Sequence, residues 1–380
     1  MRTVTAISEL RAIDEAVGEI CSGLPIYPGS IFRIASQYLP NYGIAVTGEN
    51  RAFIESESSV SYALEWAPGD DATNKAIERA IGAAAVAVGN VDMNRYVADT
   101  ARDLIVALSK KGRTLNILDV GAGSGDTTCA LLDALEDGPE AREAAKSCYF
   151  FMLEPSIYRL ECAVTEAEKK GINKAVFDGR IAGRLRKLHR SLEEFLDGRG
   201  RNKFDVVISS AALHHFSFGT HYQKLYDMMA DDGVLVIGDW HNNLLAHPAN
   251  VARLIRDLGA SQEQVRRFEL LFDIRTDDVH EFEMKLSDTQ RKANRDFRNF
   301  VVAMANEMRC FDDSGKLFFL EALELIDERV EKIRSAGFET DIDQLRKEHH
   351  AFANVYRTRR RIVPHNDVAY VVTAGKVPKQ

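Results

Sequence analysis

The chain reads as an α/β protein built on a doubly wound, mostly parallel sheet, and three observations predict it. Short apolar runs alternate with helix-length stretches from about Ile117 to Asp239, the order that builds parallel strands joined by crossover helices. Two of those runs, Phe204-Asp-Val-Val-Ile-Ser-Ser210 and Gly233-Val-Leu-Val-Ile-Gly-Asp239, are rich in β-branched residues, as strands covered on both faces are. The third observation is Ile117 to Thr128, ILDVGAGSGDTT, in which an apolar strand runs into a glycine turn that opens a helix.

Taken in order, the first ninety residues are an addition that the sheet does not need. Ile7 to Ile20, Ser30 to Tyr38 and Ala72 to Val88 carry apolar residues at helical spacing. Pro25, Pro28, Pro40, Gly43 and Gly48 punctuate the chain between them, and Gly43 to Trp66 stays ambiguous between hairpin and loop. Asn90 to Lys110 is a helix leading into the first strand. Cys148 to Leu153 is the second strand, Leu185 to His189 the third, Phe204 to Ser210 the fourth and Gly233 to Asp239 the fifth. The polar stretch Glu136 to Lys146 reads as a surface insertion. Tyr222 to Ala230 reads as a helix closed by Asp231-Asp232-Gly233.

After the fifth strand, Pro248 to Leu258, Ser261 to Phe272, Ser287 to Met308 and Gly315 to Ser335 read as helices, the second opened by a capping box of Ser261 and Gln264. The segment Leu345 to Pro364 has no assignment. Four regions follow: residues 1–90 as a helical lid or dimerisation region, 91–243 as the sheet core, 244–320 as a helical insertion covering an acceptor pocket, and 321–380 as the last helix with closing strands.

Composition limits the partners. A chain of 380 residues with 28% charged residues and net charge −8 is an ordinary globular protein without the basic tract that attraction to nucleic acid or anionic membrane needs. Arg357, Arg359, Arg360 and Arg361 form the one dense basic cluster and read as a solvated edge. Cys21, Cys129, Cys148, Cys162 and Cys310 show no CxxC pairing, which fits a reducing compartment. Glu9, Asp14, Glu15 and Glu19 break up the amino terminus, no secretory signal is expected there, and a cytoplasmic location with no membrane or nucleic-acid partner is the expectation.

The chemistry of the glycine turn follows from charge. Gly121, Ala122, Gly123 and Gly125 space the glycines as G-x-G-x-G, whereas a dinucleotide turn is G-x-G-x-x-G with a pyrophosphate on the helix amino terminus. Asp119 precedes the turn and Asp126 follows it, so the pocket suits an amine or sulfonium better than a diphosphate. A P-loop is excluded by the missing G-K-[ST] ending. These residues resemble the first motif of class I S-adenosylmethionine-dependent methyltransferases, and the later strands extend that resemblance.

The resemblance implies a Rossmann-like core with an antiparallel closing strand, here Gly337 to Glu339 and Asp367 to Gly375, and S-adenosylmethionine as cofactor. It makes Glu154, with Pro155 beside it, the acceptor for the ribose hydroxyls. Ser191 and Leu192 stand where family members often keep an acid for the adenine amino group, and Ser210 ends the fourth strand at the cofactor. His214 holds the place of a base in some small-molecule O-methyltransferases; His241, then His215, are further candidates, since a neutral imidazole takes an acceptor proton near pH 7. No metal is expected, because Ser209-Ser210 replaces the acid that a divalent site would use. The expected activity is methyl transfer to a small or medium organic acceptor at oxygen or nitrogen; methylation of a protein side chain and a noncatalytic scaffold are the alternatives, with a nicotinamide oxidoreductase behind them. A homodimer through the amino-terminal region is the other partner considered.

Overall fold

Burial pattern decides how each run is used. The computed structural model describes residues 2–4, 7–26, 28–36, 44–46, 90–154, 157–169, 185–188, 195, 203–213, 219–240, 248–275, 326–340, 357–358, 361–362 and 369–376, with isolated positions between 284 and 302. In chain order its elements are β1 (Arg2–Val4), α1 (Ile7–Ile20), α2 (Pro28–Ser36), β2 (Ile44–Val46), α3 (Asn90–Ser109), β3 (Leu115–Val120), α4 (Asp126–Leu135), α5 (Pro139–Ala145), β4 (Cys148–Leu153), α6 (Ile157–Lys169), β5 (Leu185–Leu188), β6 (Phe204–Ser210), α7 (Gly219–Met228), β7 (Met229–Trp240), α8 (Pro248–Asp257), α9 (Gln262–Leu271), α10 (Ile326–Ser335), β8 (Phe338–Glu339), β9 (Arg357–Thr358), β10 (Arg361–Ile362) and β11 (Ala369–Lys376). They divide into two compact units, Met1–Val88 with His241–Ile326 and Asn366–Val368, and Gly89–Trp240 with Asp327–His365 and Ala369–Gln380.

The second unit holds a seven-stranded sheet in the order β5-β4-β3-β6-β7-β11-β8. The first five strands are parallel neighbours, and β11 runs antiparallel to β7 and to β8. The expected doubly wound, Rossmann-like sheet with an antiparallel closing strand is therefore borne out. Of the two closing strands, only β11 opposes the sheet; β8 lies beyond it and, antiparallel to β11, shares the sense of the others. The chain leaves β3 for β4 and β5 on one side and returns to β6 on the other, so a crevice opens at the carboxyl end of β3, where ligands bind in such sheets.

One face is sealed by helices. Val97, Ala98, Ala101 and Ile105 of α3 and Leu131, Leu132 and Leu135 of α4 form one buried core with Ile117, Phe150, Val206 and Val236 of the sheet. On the opposite face Phe151 meets Phe204 edge-on, ring centroids 5.3 Å apart, a favoured aromatic geometry. The stretch expected as a surface insertion contributes to the first of these cores: α5 buries Ala141, Ala144 and Ala145 while its polar residues face outward. Three alanines at helical spacing make a narrow apolar stripe that the surrounding charges hide in the sequence.

The expected turn at Asp231-Asp232-Gly233 lies within β7. Met229 pairs with Phe204 but Val234 pairs with Val206, so the residues between them form an irregularity that extends the strand rather than ending the helix. Asp232 is held there by Lys111 and Arg113, and Arg113 also pairs with Asp205 at 2.7 Å. The first unit is helical, with a short parallel pair of β1 and β2. Its α9 begins in the expected capping box, Ser261 with Gln264, and Gln264 Nε2 also donates to the carbonyl of Ile20 at the end of α1, 2.7 Å away. Ala72 to Val88 and most of Ser287 to Met308 lie outside the described residues.

Contact between α3 and the sheet depends on a missing side chain. A Cβ on Gly238 of β7 would stand 2.6 Å from Val97 Cγ2 and 2.9 Å from Met93 Cγ. Replacing Gly238 by Val is expected to destabilise the fold by about 1–3 kcal/mol through overpacking, read as a lower urea midpoint; an unchanged midpoint refutes the close approach of α3.

Candidate active site

The site begins at the carboxyl end of β3, where the backbone must reverse within five residues. Gly121, Gly123 and Gly125 have φ of 70°, 53° and 86°, a left-handed region in which side chains are strained. The protein itself also closes on all three. A Cβ would lie 2.4 Å from Ala212 Cβ at Gly121, 2.9 Å from Arg159 Nη2 at Gly123 and 2.7 Å from Ala163 Cβ at Gly125. The amides of Gly121 and Ala122 both donate to the carbonyl of Leu153, at 2.9 and 3.0 Å, fastening the turn to the end of β4.

Two acids flank this turn in the interior. Asp119 is 3% exposed and Glu154 5%. Thr128 Oγ1 donates to Asp119 Oδ2 at 2.6 Å, and Asp119 Oδ1 is buried without a hydrogen-bond partner. Burial pushes the Asp119 carboxyl up to about 7; the bond from Thr128 opposes that shift, while the nearby Glu154 and Asp126 charges add to it. Glu154 Oε2 accepts the amide of Gly123 at 2.9 Å. Asp126 stands exposed in the first turn of α4, so the buried pair is Asp119 with Glu154 rather than Asp119 with Asp126.

On the other flank, β6 ends beside α3. Ser209 Oγ donates to the carbonyl of Val120 at 2.9 Å, and Ser210 Oγ donates to Asn94 Oδ1, which also accepts from Thr127 Oγ1 at 3.2 Å. The amino end of α4 is capped by Gly125 with no side-chain bond, which leaves backbone N–H groups and the positive end of the helix dipole at the turn.

The structure thus gathers Asp119, Gly121, Ala122, Gly123, Gly125, Glu154 and Ser210 around the end of β3. Pro155, Ser191, Leu192, His214, His215 and His241 lie outside the described residues. Sequence reasoning missed Thr128, Arg159 and Asn94. Thr128 carried a legible signal, a hydroxyl in the first helical turn after a buried acid. Arg159 and Asn94 carried none, since only the tertiary fold sets α6 and α3 against the turn. Among the described residues, no three His, Cys, Asp or Glu side chains cluster as a metal site.

Comparison with known proteins decides the family. Residues 93–282 match the model of a methyltransferase domain, half of the chain. The chain belongs to this methyltransferase-domain family. The resemblance to class I S-adenosylmethionine-dependent methyltransferases is borne out with it. No curated protein matches. Among solved structures, the DszA carbon methyltransferase is 14% identical with a TM-score of 0.34, over 70% of this chain and 48% of that one, so the chain spans about half its length. The magnesium protoporphyrin IX methyltransferase of Synechocystis PCC 6803, with bound S-adenosylmethionine, is 10% identical over 80% and 84% of the two chains, TM-score 0.35. The plantazolicin methyltransferase BpumL, in complex with S-adenosylhomocysteine, is 11% identical over 82% and 92%, TM-score 0.34.

The residues around this turn fit S-adenosylmethionine, the cofactor that the resemblance implies. A buried carboxylate oxygen with no hydrogen-bond partner among the described residues, a second buried acid and a turn with glycine at every second position suit a cationic nucleoside.

The raised Asp119 carboxyl has a consequence for stability. The folded protein keeps a proton that the unfolded chain releases near 3.8, so between about pH 4 and pH 7 unfolding becomes easier as pH rises, and above about 7 the effect is complete. Asp119→Asn keeps the acceptor for Thr128 and is expected to remove that decline. Urea melts at several pH values check this; equal slopes in both proteins refute it.

Proposed function

We propose that the protein transfers the methyl group of S-adenosylmethionine to a small or medium organic acceptor, at oxygen or nitrogen. The observation that carries this reading is the pair of buried acids, Asp119 and Glu154, on the glycine turn at the switch point of the sheet. When bound, the cofactor supplies a methyl group activated on a sulfonium. The protein has no bond to make itself, and its contribution is alignment and a fixed electrostatic field.

Each residue then has a task. Asp119 supplies negative charge in a dry setting, where it acts on a cation more strongly than it would in water. Glu154 is placed to accept the ribose hydroxyls, and its bond to the Gly123 amide fixes its position. Ser191 and Leu192 occupy the sequence position from which the family contacts the adenine. His214, in the segment that follows β6, takes the acceptor proton when that acceptor is a phenol or similar acid; His241, in the segment that follows β7, and His215 are the other bases. Beyond the sheet the chain carries a second, helical unit, and additions of this kind are where proteins of one fold differ in the acceptor they take. No helix among the described residues is long and apolar enough to cross a membrane.

Glu154→Gln and Gly123→Val are expected to weaken binding of S-adenosylhomocysteine at least tenfold in isothermal titration, the second because it adds a side chain at φ 53° and 2.9 Å from Arg159. His214→Gln is expected to lower turnover by about 10²–10⁴ with that affinity kept. In a cell extract supplied with methyl-labelled cofactor, label should enter the low-mass fraction. Label confined to macromolecules would overturn the small-acceptor reading, and absence of any binding would overturn the methyltransferase reading as well.

A further inference from the structure

Two residues other than glycine hold a positive φ among the described residues, Asp273 at 52° and Ala211 at 51°. The end of α9 explains the first. The amide of Asp273 donates to the carbonyl of Leu270, and that of Ile274 to the carbonyl of Glu269, a closing pattern that calls for a left-handed residue just past a helix, and aspartate tolerates that conformation. Ala211 ends no helix. It follows Ser210, the last residue of β6, and its left-handed backbone costs an alanine free energy that a glycine is spared. Strain of this kind persists only where the surroundings over-determine it.

Here the chain is held on both sides of the turn. Ser209 Oγ donates to the carbonyl of Val120 and Ser210 Oγ to Asn94 Oδ1, which fastens the end of β6 to β3 and α3. The amide of Ala211 itself donates to the carbonyl of Gly238 in β7, 2.9 Å away. Beyond the turn Ala212 is buried, and its Cβ lies 2.4 Å from the point where a Cβ on Gly121 would stand. The methyl of Ala212 thus occupies the space that the first glycine of the turn leaves open. An extended residue at 211 would carry the chain on along β6 instead of onto that seat.

We propose that Ala211 and Ala212 form a strained elbow that aligns methyl transfer, an inference that rests on the function proposed above. Ala211 bends the chain, Ala212 seats it on Gly121, and the segment leading to the proposed base His214 starts from a fixed point on the turn assigned to the donor. Both act through the residues that follow them and are positioning residues. The strain is the free energy given up for alignment, and alignment is what an in-line transfer depends on.

Three substitutions at one position separate conformation from size, because glycine and asparagine accept a positive φ while valine, close to asparagine in size, resists it. The readout on the full chain is the initial rate at which label from methyl-labelled S-adenosylmethionine enters a cell extract. Ala211→Gly and Ala211→Asn are expected to stay within about threefold of the wild type, and Ala211→Val to fall about tenfold or more. In isothermal titration all three should keep the wild-type affinity for S-adenosylhomocysteine within about threefold. The urea midpoint of Ala211→Gly should be no lower than that of the wild type, and a fall would overturn the strain. Ala212→Gly, which removes the seated methyl, is expected to lower the rate about tenfold with affinity kept, and it serves where Ala211→Val fails to fold. Wild-type rates in Ala211→Val and Ala212→Gly, equal losses in Ala211→Val and Ala211→Asn, or a rate that falls only as far as affinity does, would overturn the elbow and leave the proposed methyl transfer standing. A wild-type protein that neither binds S-adenosylhomocysteine nor labels the extract would overturn both.

Discussion

A carboxylate kept dry is the constraint on which the site turns. Asp119 is placed at the last-but-one position of β3, a central strand of the sheet, where it is almost fully buried, and Thr128 donates to its carboxyl. A charge so placed costs free energy that a neighbouring hydroxyl only partly offsets, and the carboxyl answers by holding its proton up to about 7. A cationic ligand reverses that balance. Near neutral pH, the binding of a cation at Asp119 would be linked to release of its proton.

The glycine turn has a double origin. Ligands are the usual reason to remove side chains from such a loop, but here Ala212, Arg159 and Ala163 also press on it from inside the protein. The third glycine lets α6 lie against the start of α4, the first lets the end of β6 close over β3, and the second accommodates a guanidinium. That guanidinium changes the electrostatics inferred from sequence. Among the described residues, Asp119, Glu154 and Asp126 are accompanied by the guanidinium of Arg159 beside the same turn, so the local field is graded from acid to base rather than uniformly negative. A ligand with charges of both signs along its length suits such a gradient better than one with a single sign.

What was legible in the sequence depended on how local the cause was. Strands β3, β4 and β6 show within one residue or two because unbroken apolar runs bounded by turn residues have few other uses, and the Ser261 capping box shows because both partners lie three residues apart. Where two readings of the same residues compete, the tertiary structure chooses. The end of α7 was read too far along, since Asp231-Asp232-Gly233 looks like a turn until Lys111 and Arg113 neutralise Asp232 and let β7 start at Met229. Within the site, Asp119, Glu154 and the glycines announced themselves by spacing. Arg159 and Asn94 did not, because nothing in their own segments distinguishes them from the surface residues of any helix.

The strand order also gives the crevice at the end of β3 two unlike flanks. On the function proposed above, Glu154 at the end of β4 serves the cofactor, and His214, His215 and His241 follow β6 and β7 in the sequence. An in-line displacement needs the acceptor behind the methyl group, opposite the sulfur's remaining bonds. The proposed function therefore divides the crevice, with acceptor chemistry assigned to the flank of β6 and β7 and cofactor recognition to β3 and β4. Ser209 and Ser210 stand at the boundary. One bonds the carbonyl of Val120 and the other bonds Asn94, so the end of β6 is tied both to the end of β3 and to α3.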